Sequence, residues 1–298
     1  MDRRELLRRI ATFPLVARGL AEDLLSGDFR SVFKGQGIEF DEARRYEPGD
    51  DVRSIDWNVS ARFGAAYVKM YREERELTVC LVADISASMF AAGASDGDFP
   101  SSARMRRRDQ AILAAALVAF SAERAGQRIG AVCFDREIRR VFRPRKGRSH
   151  AMSVIGALLS AGEGGKGSDL ALALKGTGRL LKRRSLVVIL SDFLSINWEQ
   201  ELGHLCSRHD VIVIGITDPL DRDMPNLGLL AMEDPETGAA LHAPTGFPSF
   251  RSAWADWHND RTKLWKALCR RCGAAYLELS TAEDAPAALT RFFGGRRL

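Results

Sequence analysis

The sequence predicts an α/β fold, a doubly wound and mostly parallel sheet with an N-terminal appendage, and three observations lead there. From about Leu77 onward, short apolar runs alternate with helical periods, the pattern of parallel strands joined by crossover helices. The runs are almost continuously apolar instead of alternating, so both faces of the sheet are expected to be covered. Polar residues gather where several runs stop, which in such sheets is the edge that binds ligands.

The predicted strands, in order, are Leu77 to Ile85, Arg128 to Phe134, Ser185 to Ser191, Val211 to Thr217 and Ala274 to Leu279. Helical periods fill the intervals at Arg108 to Ala125, Ala151 to Ser160, Leu170 to Leu181, Trp198 to Cys206 and Ser252 to Cys272. Ile138 to Phe142 follows Phe134 so closely that it reads as an edge hairpin. Leu229 to His242, with Asp234-Pro235-Glu236-Thr237-Gly238 at its middle, reads as a hairpin insertion. The first seventy residues differ: an amphipathic helix, then a stretch dense in Gly, Asp, Glu and Arg with little regular period. Residues 1–76 are therefore expected to form an appendage and residues 77–298 the main domain. The Gly-, Ala-, Ser- and Asp-rich tract Ala91 to Ser102 is expected to be a mobile loop near the site.

Composition excludes several classes of function. With 46% hydrophobic and 28% charged residues the chain is globular and not largely disordered. Its longest apolar run, Ala111 to Phe120, falls well short of the roughly 18 residues of a membrane helix. The charged start Met1-Asp2-Arg3-Arg4-Glu5 does not read as a signal peptide, so the cytoplasm is the expected location. Five cysteines, an odd number scattered through strands and helices, agree with a reducing compartment. The net charge of +5 comes largely from two clusters, Arg104, Arg106, Arg107, Arg108 and Arg139, Arg140, Arg143, Arg145, Lys146, Arg148. No aromatic interleaving accompanies them, so they read as solvated faces and nucleic acid is not an expected partner.

Three strand-end or loop clusters carry the candidate chemistry: Asp84-Ile85-Ser86-Ala87-Ser88, Ser191-Asp192-Phe193 and Gly164-Gly165-Lys166-Gly167-Ser168-Asp169. A hard cation such as Mg²⁺ takes six oxygens in a near-octahedral array at about 2.0 to 2.1 Å and keeps several waters. Ser86, Ser88 and Ser168 can supply hydroxyls, and Asp84 and Asp192 can supply carboxylates directly or through water. A divalent cation is therefore the expected cofactor, Mg²⁺ first with Mn²⁺ or Ca²⁺ as alternatives. With so many neutral ligands it would be weakly held in the isolated chain and would keep enough charge to attract a carboxylate from another protein.

Asp-x-Ser-x-Ser at the end of the first core strand resembles the metal-ion-dependent adhesion site of von Willebrand factor A domains, a Rossmann-type fold. In that family a Thr before a later helix and an Asp after the fourth strand complete the site; Ser168 stands in place of the Thr, and Asp192 matches the Asp. Phe33-Lys34-Gly35-Gln36-Gly37-Ile38-Glu39-Phe40, Arg44-Arg45-Tyr46-Glu47-Pro48-Gly49-Asp50-Asp51-Val52-Arg53-Ser54-Ile55-Asp56-Trp57 and Ser60-Ala61-Arg62 are similar to the signature of the bacterial family called domain of unknown function 58. That resemblance implies an adaptor or partner of a MoxR-type AAA+ ATPase and of other von Willebrand A proteins, in chaperone-like complex assembly. Read from the residues alone, Pro48-Gly49 is a tight turn. Glu39, Glu42, Asp50, Asp51 and Asp56, interleaved with Arg44, Arg45, Arg53 and Arg62, suit carboxylate–guanidinium pairs that either pin the appendage or dock a partner.

Other signals weigh less. Gly165-Lys166 is followed by Gly167 and preceded by a helix, which argues against a phosphate loop. An Mg²⁺-dependent phosphatase or other hydrolase using Asp84 and Asp192 is the alternative reading, but Ser86 stands where phosphoaspartate phosphatases carry a second Asp. Cys269-Arg270-Arg271-Cys272 ends a helix instead of starting one, which disfavours an activated thiol. The five histidines form no metal-ligand spacing, and Trp254, Trp257 and Trp265 read as core anchors.

Overall fold

The computed structural model describes residues 5–10, 13, 38–73, 77–90, 105–162 and 165–294. The chain divides into two compact units, Arg30–Glu76 and the remainder.

The smaller unit holds regular structure that its sequence, with little regular period, did not announce. Strand β1 (Ile38–Arg45) pairs antiparallel with β2 (Tyr67–Glu73), and helix α1 (Trp57–Phe63) lies between them in sequence. Asp56 caps α1, accepting from the amides of Asn58 and Val59 at 3.0 and 3.2 Å, and Gly64 ends it at φ 67. The Pro48-Gly49 turn is tied by Asp50, which accepts from the Glu47 amide and pairs with Arg44 at 2.5 Å. The side chains of Glu39, Glu42 and Arg53, and the signature residues Phe33 to Gly37, lie outside the described residues.

The larger unit is built on a six-stranded sheet. Its strands are β3 (Thr78–Asp84), β4 (Arg128–Phe134), β5 (Ile138–Arg145), β6 (Leu186–Ser191), β7 (Asp210–Thr217) and, after a separate hairpin of β8 (Leu229–Glu233) and β9 (Ala240–Pro244), β10 (Ala275–Ser280). The order across the sheet is β10-β7-β6-β3-β4-β5, parallel throughout except for β5 against β4. The helices are α2 (Ala87–Phe90), α3 (Arg107–Arg124), α4 (Arg148–Ser160), α5 (Leu170–Leu180), α6 (Glu199–Cys206), α7 (Pro248–Cys272) and α8 (Ala285–Gly294). Helix α3 packs with α4 and α8, and α5, α6 and α7 pack in succession, which gives the two layers of a doubly wound sheet.

Burial explains the apolar runs. Residues 79–83, 129, 131–134, 186–190 and 211–214 are all buried. Cys80, Val82, Val132, Phe134, Val187, Ile189 and Val213 pack with Leu170, Leu174, Leu202 and Trp265. Helix α3 is buried from Asp109 to Ala122, as expected of a helix apolar all round. Trp265 lies flat against β7, where a Cβ at Gly215 would stand 2.7 Å from its ring. Of the three tryptophans expected as anchors only Trp265 is one: Trp257 is 49% exposed, and Trp254 donates to the Leu220 carbonyl from a half-buried position.

The reading of the first arginine cluster is corrected at two positions, while Arg106 is exposed as expected. Arg107, its side chain only 12% exposed, is ion-paired with Asp221, and Arg108 donates to the carbonyls of Leu158, Leu159 and Ala161 at the end of α4. Arg139, Arg140, Arg143 and Arg145 line the edge strand β5, where charge discourages pairing with another sheet. All five cysteines are free, and burial pushes the Cys269 thiol up to about 12, which leaves it inert. No helix among the described residues is long and apolar enough to cross a membrane. The tract Ala91 to Ser102 lies outside the described residues.

Candidate metal centre

The chain leaves β3 toward β4 and β5 on one side, then returns to β6 on the other side of β3. Loops leaving the carboxyl ends of β3 and β6 therefore diverge, and it is at such a switch point that sheets of this kind form their ligand crevice. Asp84 is the last residue of β3 and Ser191 the last of β6, and their side chains meet: the Ser191 hydroxyl donates to Asp84 Oδ2 at 2.7 Å.

The structure brings together all five residues predicted for the site. Asp84, 3% exposed, accepts from the Ser86 amide at 2.9 Å through Oδ1 and from the Ser168 hydroxyl at 3.1 Å through Oδ2. The hydroxyls of Ser86 and Ser88 stand 3.2 Å apart, and both residues are buried. Ser88 also hydrogen-bonds Asp192, whose Oδ1 accepts from the Leu194 amide at 3.1 Å. Ser168 reaches the site because the next residue, Asp169, caps α5 by accepting from the Leu172 amide, and its own amide donates to the Asp135 carbonyl.

Electrostatics set the site apart from an ordinary capped turn. Burial, then the charge of Asp192, pushes the Asp84 carboxyl up from its ordinary 3.8 to about 7. Asp192 is also raised, by burial first and with a contribution from Glu236, while Arg107 opposes the shift. Two like charges held together out of water leave an electrostatic deficit that a cation removes.

Three residues escaped the sequence reading, and a fourth, Ser191, was named in the second strand-end cluster without a role of its own. Arg107 looked like one surface arginine among several. Arg261 of α7 clamps the loop after β6 by donating to the carbonyls of Phe193, Leu194 and Ser195 at 2.9, 2.6 and 3.2 Å. Glu236, from the turn between β8 and β9, accepts from the Ser88 amide at 2.7 Å, and no local pattern announces a contact across 148 positions.

The donor set suits a hard cation. Every candidate ligand atom is oxygen, and two carboxylate oxygens, Asp192 Oδ2 and Glu236 Oε2, are enclosed without a hydrogen-bond partner. Among the described residues no three His, Cys, Asp or Glu side chains converge as a ready metal group, so an ion here would lean on hydroxyls.

The strand order, its single antiparallel edge and the Asp-x-Ser-x-Ser loop at the switch point define a von Willebrand factor A-like α/β domain. The chain belongs to the family described as Protein of unknown function DUF58, whose profile matches residues 42–263. It is 33% identical over 300 residues to Uncharacterized protein Rv1480 of Mycobacterium tuberculosis, covering 100% of this chain and 92% of that one. Uncharacterized protein MAV169 of Mycobacterium avium is 36% identical over 133 residues, 43% of this chain and 76% of that one. Among solved structures, the conserved hypothetical protein BatB from Bacteroides thetaiotaomicron is similar at TM-score 0.45 and 14% identity, over 74% of this chain and 98% of that one. A von Willebrand factor type A protein from Catenulispora acidiphila is similar at TM-score 0.40 and 15% identity, over 76% and 43%.

Proposed function

We propose that this protein is an interaction module in which Asp84, Ser86, Ser88, Ser168 and Asp192 hold one divalent cation, Mg²⁺ first, that meets an acidic side chain of a protein partner. The observation that carries the reading is the pair of carboxylates at the switch point, Asp84 anchored by two hydroxyls and Asp192 with one oxygen enclosed and unpartnered. The chain's residues bind and orient; the cation, when bound, supplies the positive charge that an incoming carboxylate recognises. A binding role is favoured over hydrolysis because both oxygens of Asp84 already accept hydrogen bonds, which makes it an anchored ligand rather than a free nucleophile. The family resemblance names a MoxR-type AAA+ ATPase as the first partner to try.

The test titrates a MoxR-type ATPase from the source organism against parent and Asp84→Ala protein, each in Mg²⁺ and in chelator. Parent protein in Mg²⁺ should bind at least about tenfold more tightly than the other three combinations, a difference of about 1.4 kcal/mol. Equal affinity in all four sinks the metal bridge. Robust phosphatase turnover abolished by Asp84→Asn would favour the hydrolase instead.

A further inference from the structure

The β8–β9 hairpin shows something the site needs and no sequence pattern suggested. Its turn is rigid: the Asp234 side chain accepts from the Glu236 amide at 3.0 Å and from the Thr237 hydroxyl at 2.6 Å, and the Gly238 amide donates to the Asp234 carbonyl at 2.7 Å. This turn holds Glu236 out toward the crevice, where Oε1 takes the Ser88 amide and Oε2 is enclosed with no partner. On the other side of the turn a Cβ at Gly238 would stand 2.6 Å from the Lys166 amine, so the tip also touches the loop that carries Ser168.

The base of the hairpin is anchored and its arms are not. The Thr245 hydroxyl accepts from the Leu227 amide and donates to the Gly228 carbonyl, and Arg251 holds the Thr245 carbonyl at 2.6 Å. Between base and tip the two strands pack mainly on each other and are largely exposed, and an isolated strand pair has little stability of its own. The tip is thus held by what it finds in the crevice. A glutamate is thus brought across 148 positions onto the amide of a candidate metal ligand, with one oxygen enclosed and without a hydrogen bond, close enough to act on the charge of Asp192.

We propose that Glu236 is a tethered internal acid: in the free chain it occupies the place at the cation site that a partner's carboxylate takes in the complex, so the hairpin is a latch that the partner displaces. This rests on the cation reading above. It also adds a fixed chemical demand on the partner, an acidic side chain presented on a turn narrow enough to replace this one.

The test uses the full chain and Mn²⁺ alone, with amide exchange across residues 229–244 as the second readout. Parent, Glu236→Gln and Asp84→Asn proteins are compared. The glutamine keeps an oxygen for the Ser88 amide and loses only the charge, so the fold should persist. The parent should bind Mn²⁺, and binding should slow exchange in the hairpin. Glu236→Gln should bind at least about tenfold more weakly, with hairpin exchange indifferent to the ion. Equal Mn²⁺ affinity and unchanged hairpin protection in Glu236→Gln, with binding lost in Asp84→Asn, would overturn the latch and leave the cation site standing. Mn²⁺ binding indifferent to Asp84→Asn would overturn the cation site and the latch with it.

Discussion

Replacing Asp84 by Asn should stabilise the metal-free protein, and the gain should grow with pH. A carboxyl held near 7 instead of 3.8 costs the fold, once ionised, about 4 kcal/mol at about 1.4 kcal/mol per pH unit. The isosteric amide carries no charge and keeps the bond from the Ser86 amide, while the hydroxyls of Ser168 and Ser191 can rotate to accept from its NH₂ group. The value near 7 already includes the hydrogen bonds made to the charged form, so the whole of this difference separates the variant from the ionised parent. The sign follows from proton uptake. Between the unfolded value of 3.8 and the folded value near 7, the folded parent retains a proton that the unfolded chain has released. Parent stability therefore falls as pH rises through that window, and the variant lacks this contribution. Urea unfolding in chelator at pH 4.5, 6 and 8.5 should show a gap that widens by about 3 kcal/mol from the lowest pH to the highest, or roughly 6 to 12 °C in melting temperature. Adding Mg²⁺ should then raise the parent and not the variant, by about 2.7 kcal/mol at a hundredfold excess over Kd. A variant less stable than the parent at pH 8.5 in chelator, or a gap that ignores pH, refutes the buried-charge argument.

Two further outcomes follow from the same structure. Arg107→Met leaves Asp221 without its buried partner and Asp192 without its nearest opposing charge, and should cost about 3 to 5 kcal/mol in urea unfolding; a loss below about 1 kcal/mol would place Arg107 effectively in solvent. Asp56→Ala removes a helix cap in the smaller unit and should cost about 1 kcal/mol, the scale of a cap and not of a buried ion pair; a loss of 3 kcal/mol or more would mean that the capping bonds are not the main role of Asp56.

The sheet was legible because burial on both faces leaves runs such as Ser185 to Ser191, whose limits agree with the structure within a residue. The strands of the smaller unit were not, because Ile-Glu-Phe-Asp-Glu-Ala-Arg-Arg and Tyr-Val-Lys-Met-Tyr-Arg-Glu mix charge into every second or third place and show no apolar run. For the site, Asp84 and Asp192 were visible because they interrupt or follow apolar strands at their carboxyl ends. Glu236 and Arg107 were invisible for opposite reasons. Glu236 depends on a turn reaching across the fold, and Arg107 has neighbours of the same type that hide the one buried member.

Two carboxylates that repel each other largely out of water would ordinarily relax by swinging one into solvent, so the geometry that prevents this is part of the site. Asp84 is fixed by three donors on its two oxygens. Asp192 is fixed through its backbone: the next residue, Phe193, stands at φ 56, a left-handed conformation that costs a non-glycine residue about 1 to 2 kcal/mol. That cost is offset by the packing of its ring against Trp198 and Trp265 at 5.2 and 5.5 Å, and by Arg261 holding the Phe193 carbonyl. The repulsion therefore persists until something positive enters. The carboxylate of Glu236 adds to the repulsion felt by Asp192, whose main opposing cation, Arg107, is already engaged by Asp221. Two positive charges balance Asp84 and Asp192, and one further carboxylate can then be held at the ion, which is the position for which Glu236 and an acidic partner would compete.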